Sequence, residues 1–330
     1  MKMYNEILDE LKSYDNEYRV LVPVSGMEVI KDKFSCGKIN LLKSSPEIIS
    51  NIVTDIKNII ALSQHTEEEK VNIIDQIHEQ LLSSLNQATF SEYIVKAEPI
   101  RAKERAIEET RRIIDIIRYS IPFLYPELYK IHVAIFGESC RVARPIPILS
   151  TDNKDFTLQT DVIGRLYNYK IDDSTLSILD KIGVITIFDM LKKDVPSMTD
   201  FEITFLNTIH WFSNHLIQTE LENKLLSLVT SLESLLTPRD GNPIGTAIAE
   251  GVAIILGDTV EKRKKIKTRV KQLYSMRSGV SHGGKKSVLD SDVRALKYIV
   301  GSVINSQIKQ INNFNTQKDL LDWIENKKLS

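Results

Sequence analysis

The sequence predicts two parts of different class: an α+β region over residues 1–200, then an all-α region over residues 201–330 whose helices form an up-and-down four-helix bundle. Three observations predict this division. β-rich runs alternate with helix-period segments in the first part, the pattern turns wholly helical after about residue 200, and breaker loops separate the later helices.

In the first part, residues 4–13 read as a short helix, and Tyr18 to Ile30 reads as two β-rich runs hinged at Ser25-Gly26. Ser45-Pro46-Glu47 is a helix start, with Ser45 as N-cap and Pro46 in the first turn. A second helix follows His65, capped by Thr66, with Glu67, Glu68 and Glu69 suited to the positive end of its dipole. Phe90 to Val95 alternates as a strand. A third helix, about Ala102 to Tyr119, interleaves Arg105, Arg111 and Arg112 with Glu104, Glu108 and Glu109, which reads as an ion-paired exposed face. Ile131 to Phe136 and Cys140 to Leu149 read as strands joined by a turn at Gly137-Glu138-Ser139, and residues 150–170 as polar and turn-rich. Asp172 or Asp173 caps a helix through Leu179, and Thr199-Asp200 opens another that reaches Trp211-Phe212.

The second part carries a long helix ending near Leu236, with Leu221, Leu225, Leu228, Leu232 and Leu235 on its buried stripe. Pro238 to Pro243 breaks the chain, and a shorter helix covers Ile244 to Leu256. A basic helix follows from Val260 to His282, then a long one from near Ser291 presenting Val293, Leu296, Val300, Val303, Ile308 and Ile311. The segment Gln317 to Asn326 reads as a fifth helix or as a partner-binding tail.

Composition narrows the function. A formal net charge of -1 argues against nucleic-acid binding over the whole surface but leaves room for a local basic patch. That patch is the run from Lys262 to Lys286, which holds no acid. The two cysteines, Cys36 and Cys140, form neither a disulfide framework nor a metal-ligand spacing, which suits a reducing cytoplasm. There is no secretory leader and no apolar run long enough to span a bilayer, so no membrane partner is expected. No cofactor or metal fingerprint occurs, and His65, His78, His132, His210 and His215 lack a partner at catalytic or ligand spacing.

Two helices break their apolar phase with a charge. In the basic helix the phase runs Ile266, Val270, Leu273, Arg277, Val280, and in the long helix a line parallel to the leucine stripe runs Leu226, Val229, Glu233, Leu236. A guanidinium on such a face is costly unless paired or functional, and Glu233 is its economical partner. His282 stands just before Gly283-Gly284, a helix C-cap where the negative dipole end favours imidazolium.

A helix bearing Ser-Leu-Glu233-Ser-Leu-Leu, a short helix, and then Leu273-Tyr274-Ser-Met-Arg277-Ser278 followed by His282-Gly283 resembles the HEPN superfamily, in particular its Apea-like branch, over about residues 210–315. The resemblance implies a bundle that dimerises and brings two Arg-x4-His motifs into one composite site. It also implies metal-independent RNA cleavage by 2′-hydroxyl attack on the neighbouring phosphate, and a role in bacterial defence or toxin systems. Carried onto this chain, Arg277 clamps the phosphate, His282 moves the proton, Glu233 orients the arginine, and Lys264, Lys267, Lys271, Tyr274 and Lys285 hold the RNA. Many members place Asn, Asp or His directly after the arginine, where this chain has Ser278. The alternative expectation is a catalytically silent interaction or sensor module, in which Arg277 and Glu233 are a structural pair and the dimer serves assembly. For residues 1–200 the absence of catalytic motifs points to a sensing or regulatory role.

Overall fold

The computed structural model describes residues 16–43, 45–62, 64–85, 88–126, 129–138, 145–149, 156–160, 165–237, 244–281 and 288–329. The chain forms two compact units, one of Met1–Arg111 with Tyr125–Thr175 and the other of Arg112–Leu124 with Leu176–Ser330.

The first unit is built on an antiparallel sheet of five strands in the order β3-β4-β5-β1-β7. Here β1 is Asn16–Ser25, β2 Met27–Val29, β3 Lys33–Cys36, β4 Ile39–Leu42, β5 Thr89–Ala97, β6 Tyr129–Lys130 and β7 Ala134–Ile135. The long pair is β1 with β5, in a register that sets Leu21 opposite Glu92 and Pro23 opposite Phe90. Because side chains alternate along a strand, Phe90 and Ser91 point to opposite faces. Phe90 joins Leu42, Ile49 and Val53 in a cluster under helix α1, Pro46–Ala61, while Ser91 shares a 2.7 Å hydrogen bond with Thr110 of helix α3, Pro99–Leu124. Helix α1 starts as the sequence predicts, its Ser45 hydroxyl accepting from the Ile48 amide. Helix α2, Glu67–Leu85, is capped by Thr66, which accepts from the Glu69 amide while Glu69 accepts from the Thr66 amide.

Pairing in this unit departs from the expected hairpins. Among the described residues of 131–149 no hairpin pairing occurs: β7 pairs with β1, and β8, Pro145–Leu149, pairs with β9, Phe156–Thr160. The intervening residues 139–144 are outside the described chain, as is the short helix expected at 4–13. The stretch read as turn-rich holds β9, β10, Arg165–Leu166, and β11, Tyr169–Ile171. Strand β2 pairs in parallel with β11 and β10 with β6, so the Ser25-Gly26 hinge directs β1 and β2 to different partners. Gly26 makes this possible with φ of +79°, since a Cβ there would lie 1.8 Å from the His132 carbonyl oxygen.

The second unit is helical: the Arg112–Leu124 half of α3, then α4, Asp173–Lys181, α5, Val184–Met190, α6, Asp200–Asn214, α7, Leu221–Leu236, α8, Ile244–Leu256, α9, Val260–Ser281, α10, Asp290–Ile308, and α11, Gln317–Leu329, of which α4 begins at the seam. The seam falls at Thr175/Leu176, earlier than the boundary expected near 200. The reason is packing: Gly183, with φ of +77°, lets Ile308 of α10 approach so closely that a Cβ would meet its Cγ2 at 2.2 Å. Asp172 caps α4 by accepting from the Thr175 amide, and Thr199 with Glu202 forms a capping box on α6. Helix α7 lies at the centre, against α6, α8 and α10, and of the predicted stripe Leu225, Leu228, Leu232 and Leu235 are fully buried while Leu221, in the first turn, is only partly so. Val293, Leu296, Val300 and Val303 of α10 are buried as well. Helix α11 packs on α6, α7 and α8 through Leu320 and Ile324, so the terminal segment is a docked helix of this unit. Among the described residues no helix is long and apolar enough to cross a membrane.

Candidate functional site

Helix α9 buries Val270 and Leu273, and one turn further on the same phase brings Arg277 against α7. Its Nε lies 3.3 Å from Glu233 Oε1, so the two charges that break their apolar phases meet each other. Val229 and Leu236 flank Glu233 in the buried line, and the glutamate side chain is only 16% exposed against 41% for Arg277. The arginine is therefore held to the glutamate through Nε while much of its side chain stays exposed.

Tyr274 completes the group. Its hydroxyl donates to the same Glu233 Oε1 at 2.7 Å. Burial, followed by the glutamate that its hydroxyl bonds, pushes the phenol up to about 12, so it stays a neutral donor at physiological pH. The ring rests on Gly245 in the first turn of α8: a Cβ there would lie 2.6 Å from Tyr274 Cδ1. Tyr274, one of the expected RNA contacts, thus also supports Glu233 in the folded chain.

The basic run divides in two. Acids from other elements engage part of it: Asp258 takes Lys262 at 2.8 Å, Glu250 takes Lys267 at 2.6 Å, and Asp292 takes Arg269 at 2.9 Å. Glu250 is held below the usual carboxylate range by the Lys267 hydrogen bond first. Lys264, Lys265 and Lys271 are exposed on the same helix. The Ser278 side chain, His282 and Lys285 lie outside the described residues, so Glu233, Tyr274 and Arg277 are the expected site residues that the structure brings together.

A second polar group joins α3 to α6. The His210 Nδ1–H donates to Asp115 Oδ2 at 2.7 Å, the Ser213 hydroxyl donates to Asp115 Oδ1, and Arg118 lies 3.6 Å from that oxygen. The hydrogen bond to Asp115 raises the His210 pKa, which fixes the proton on Nδ1 and leaves Nε2 on the half-exposed side. No local spacing pairs His210 with Asp115, which lies 95 residues away on another helix. The Ser213 hydroxyl bonds the Asp115 carboxylate and the His210 backbone carbonyl and not the His210 ring, so the trio is not a nucleophile with its base. His215 at the end of α6 is buried at 3% exposure, with Nδ1 donating to the Phe212 carbonyl and Nε2 without a partner among the described residues. Among the described residues no group of three or more His, Cys, Asp and Glu side chains converges as a metal site.

No family model, curated protein or solved structure matches the chain.

Proposed function

We propose that the chain is a metal-independent endoribonuclease of HEPN type, its α7–α10 helices forming the up-and-down bundle and a homodimer pairing two sites. The observation that supports this reading most is the Glu233–Arg277 pair at the end of a lysine-rich helix. With Nε engaged by Glu233 and 41% of the side chain exposed, the terminal amino groups would be the ones to hold a phosphate whose charge grows during reaction. Exposed Lys264 and Lys271 on the same helix supply the sequence-independent attraction for the RNA backbone.

In the proposed reaction the RNA 2′ oxygen attacks phosphorus and the bond to the 5′ oxygen breaks, leaving a 2′,3′-cyclic phosphate and a 5′-hydroxyl. One histidine takes the 2′ proton and another gives a proton to the 5′ oxygen, so two His282 side chains of a dimer would share the work. Arg277 carries no proton in this scheme; it stays charged throughout. A role in bacterial defence or toxin systems, in the cytoplasm and under a phage-derived or protein trigger, fits such a general activity. The N-terminal unit would then act as the sensor.

The test is sequencing of RNA ends from cells expressing the wild type, Arg277→Ala and His282→Ala chains. Wild type should enrich 2′,3′-cyclic phosphate ends, and each variant should lose about 100-fold or more. Equal end profiles in all three would overturn the ribonuclease.

A second reading has the same pair in its favour, since Glu233 and Arg277 meet within one chain. In it the pair is structural and the chain is a silent interaction module. Loss of folding in Glu233→Ala together with harmless His282→Ala would select it.

A further inference from the structure

We infer that Gly245, Tyr274 and Glu233 form a positioning relay that holds Arg277 by its Nε edge, so that only the two terminal amino groups face an incoming phosphodiester. This rests on the site reading above and assigns residues that do not touch the RNA.

The relay follows contact by contact. Gly245 has no side chain, and the Tyr274 ring occupies the space that a Cβ would fill, 2.6 Å and 2.7 Å from two ring carbons. A methyl at 245 must therefore displace the ring or the start of α8. The ring position sets the hydroxyl, which donates to Glu233 Oε1 at 2.7 Å. That oxygen is the one that takes Arg277 Nε at 3.3 Å. A glutamate with rotatable bonds has several ways to meet an arginine; the tyrosine selects one.

The consequence is chemical. A guanidinium meets an oxyanion either through Nε and one terminal nitrogen or through both terminal nitrogens. Glu233 occupies the first edge, so a phosphodiester is offered the second, with its two non-bridging oxygens facing two N–H groups. Tyr274 is a positioning residue in this arrangement. Its hydroxyl serves Glu233 and its ring packs on Gly245.

The experiment uses the full-length chain and a single-stranded RNA carrying 2′-O-methyl groups throughout, which binds without being cleaved. Tyr274→Phe keeps the ring and removes only the hydroxyl, and Gly245→Ala displaces the ring. Each should weaken binding about tenfold, the scale of one charge-assisted hydrogen bond. In an Arg277→Ala background both should have no further effect, because a relay acts only through its last member. Thermal melts of each variant separate this from general unfolding. Wild-type binding by Tyr274→Phe, or full losses persisting in the Arg277→Ala background, would overturn the relay. If the wild type binds no RNA, the ribonuclease reading fails and the relay is still decided by phenylglyoxal labelling of Arg277, read by mass spectrometry. Labelling at least threefold faster in Tyr274→Phe than in wild type supports the relay, and equal rates overturn it.

Discussion

Arg277 Nε and Glu233 Oε1 meet at 3.3 Å, joining α9 to α7 at the two positions where each helix gives up an apolar residue for a charge. The pair is unequal, since the glutamate is nearly buried and the arginine is almost half exposed. Removing the arginine leaves a largely buried carboxylate whose remaining donor among the described residues is the neutral Tyr274 hydroxyl. Removing the glutamate leaves a cation that can turn to water. Arg277→Ala should therefore destabilise the fold by about 1–2 kcal/mol and Glu233→Ala by less, measured by urea unfolding. Glu233→Leu with Arg277→Leu should recover the loss, because apolar residues of similar volume restore both stripes.

His210 and His215 lie at one end of α6 and titrate in opposite directions. For His210 the folded pKa is raised by Asp115, so its contribution to stability is complete below the unfolded value near 6.5 and is lost as pH rises through the folded value. The difference in unfolding midpoint between wild type and His210→Asn should be largest at pH 5.5 and shrink by pH 8. A constant difference would mean that the Asp115 bond contributes only as a neutral contact.

For His215 burial lowers the pKa to about 4. The unfolded chain binds a proton in the window between about 6.5 and 4 that the folded chain refuses, so stability falls as pH falls through it. His215→Phe should remove this term and flatten the acid limb of the stability profile, read by denaturant midpoints from pH 7 to pH 4.

Gly26 carries the turn from β1 to β2 at φ of +79°, with the His132 carbonyl where a side chain would start. Gly26→Ala must both enter the left-handed region and move backbone, at a cost of about 3 kcal/mol or more. The melting temperature should drop by several degrees, and the amides of β2 should lose exchange protection first.

Helix periods made the second unit legible. The leucine line of α7, the valine line of α10 and the two charges that interrupt apolar phases each follow from spacing along one helix, and the structure pairs those charges. Relations between distant elements left no such trace. Asp115 and His210 sit on ordinary helix faces 95 residues apart. The three-residue strands β2 and β11 are too short for an alternation to register, and their parallel pairing spans the whole first unit. The turn at Gly137 looks like a hairpin turn, yet β7 extends β1, because the register leaves Val24 and Ser25 open to it. Gly245 was equally silent, since a glycine near a helix start reads as local chemistry and its contact with Tyr274 is tertiary.

The same distinction separates the lysines of α9. In sequence the basic run contains no acid, so Lys264, Lys267 and Lys271 look equivalent as RNA contacts. In the folded unit Lys267 Nζ donates to Glu250 at 2.6 Å, and Glu250 also takes Lys328 of α11 at 3.0 Å, so Lys267 ties α9 to the α8 and α11 packing. Lys264 and Lys271 stay exposed. If α9 holds RNA, Lys264→Ala and Lys271→Ala should each reduce the slope of log affinity against log salt by about 0.7, the value for one single-strand phosphate contact, with unchanged melting. Lys267→Ala should leave that slope nearly unchanged, lower the melting temperature, and be rescued in stability by Glu250→Gln. A slope change for Lys267→Ala equal to that of its neighbours would show that it leaves Glu250 for the RNA backbone on binding.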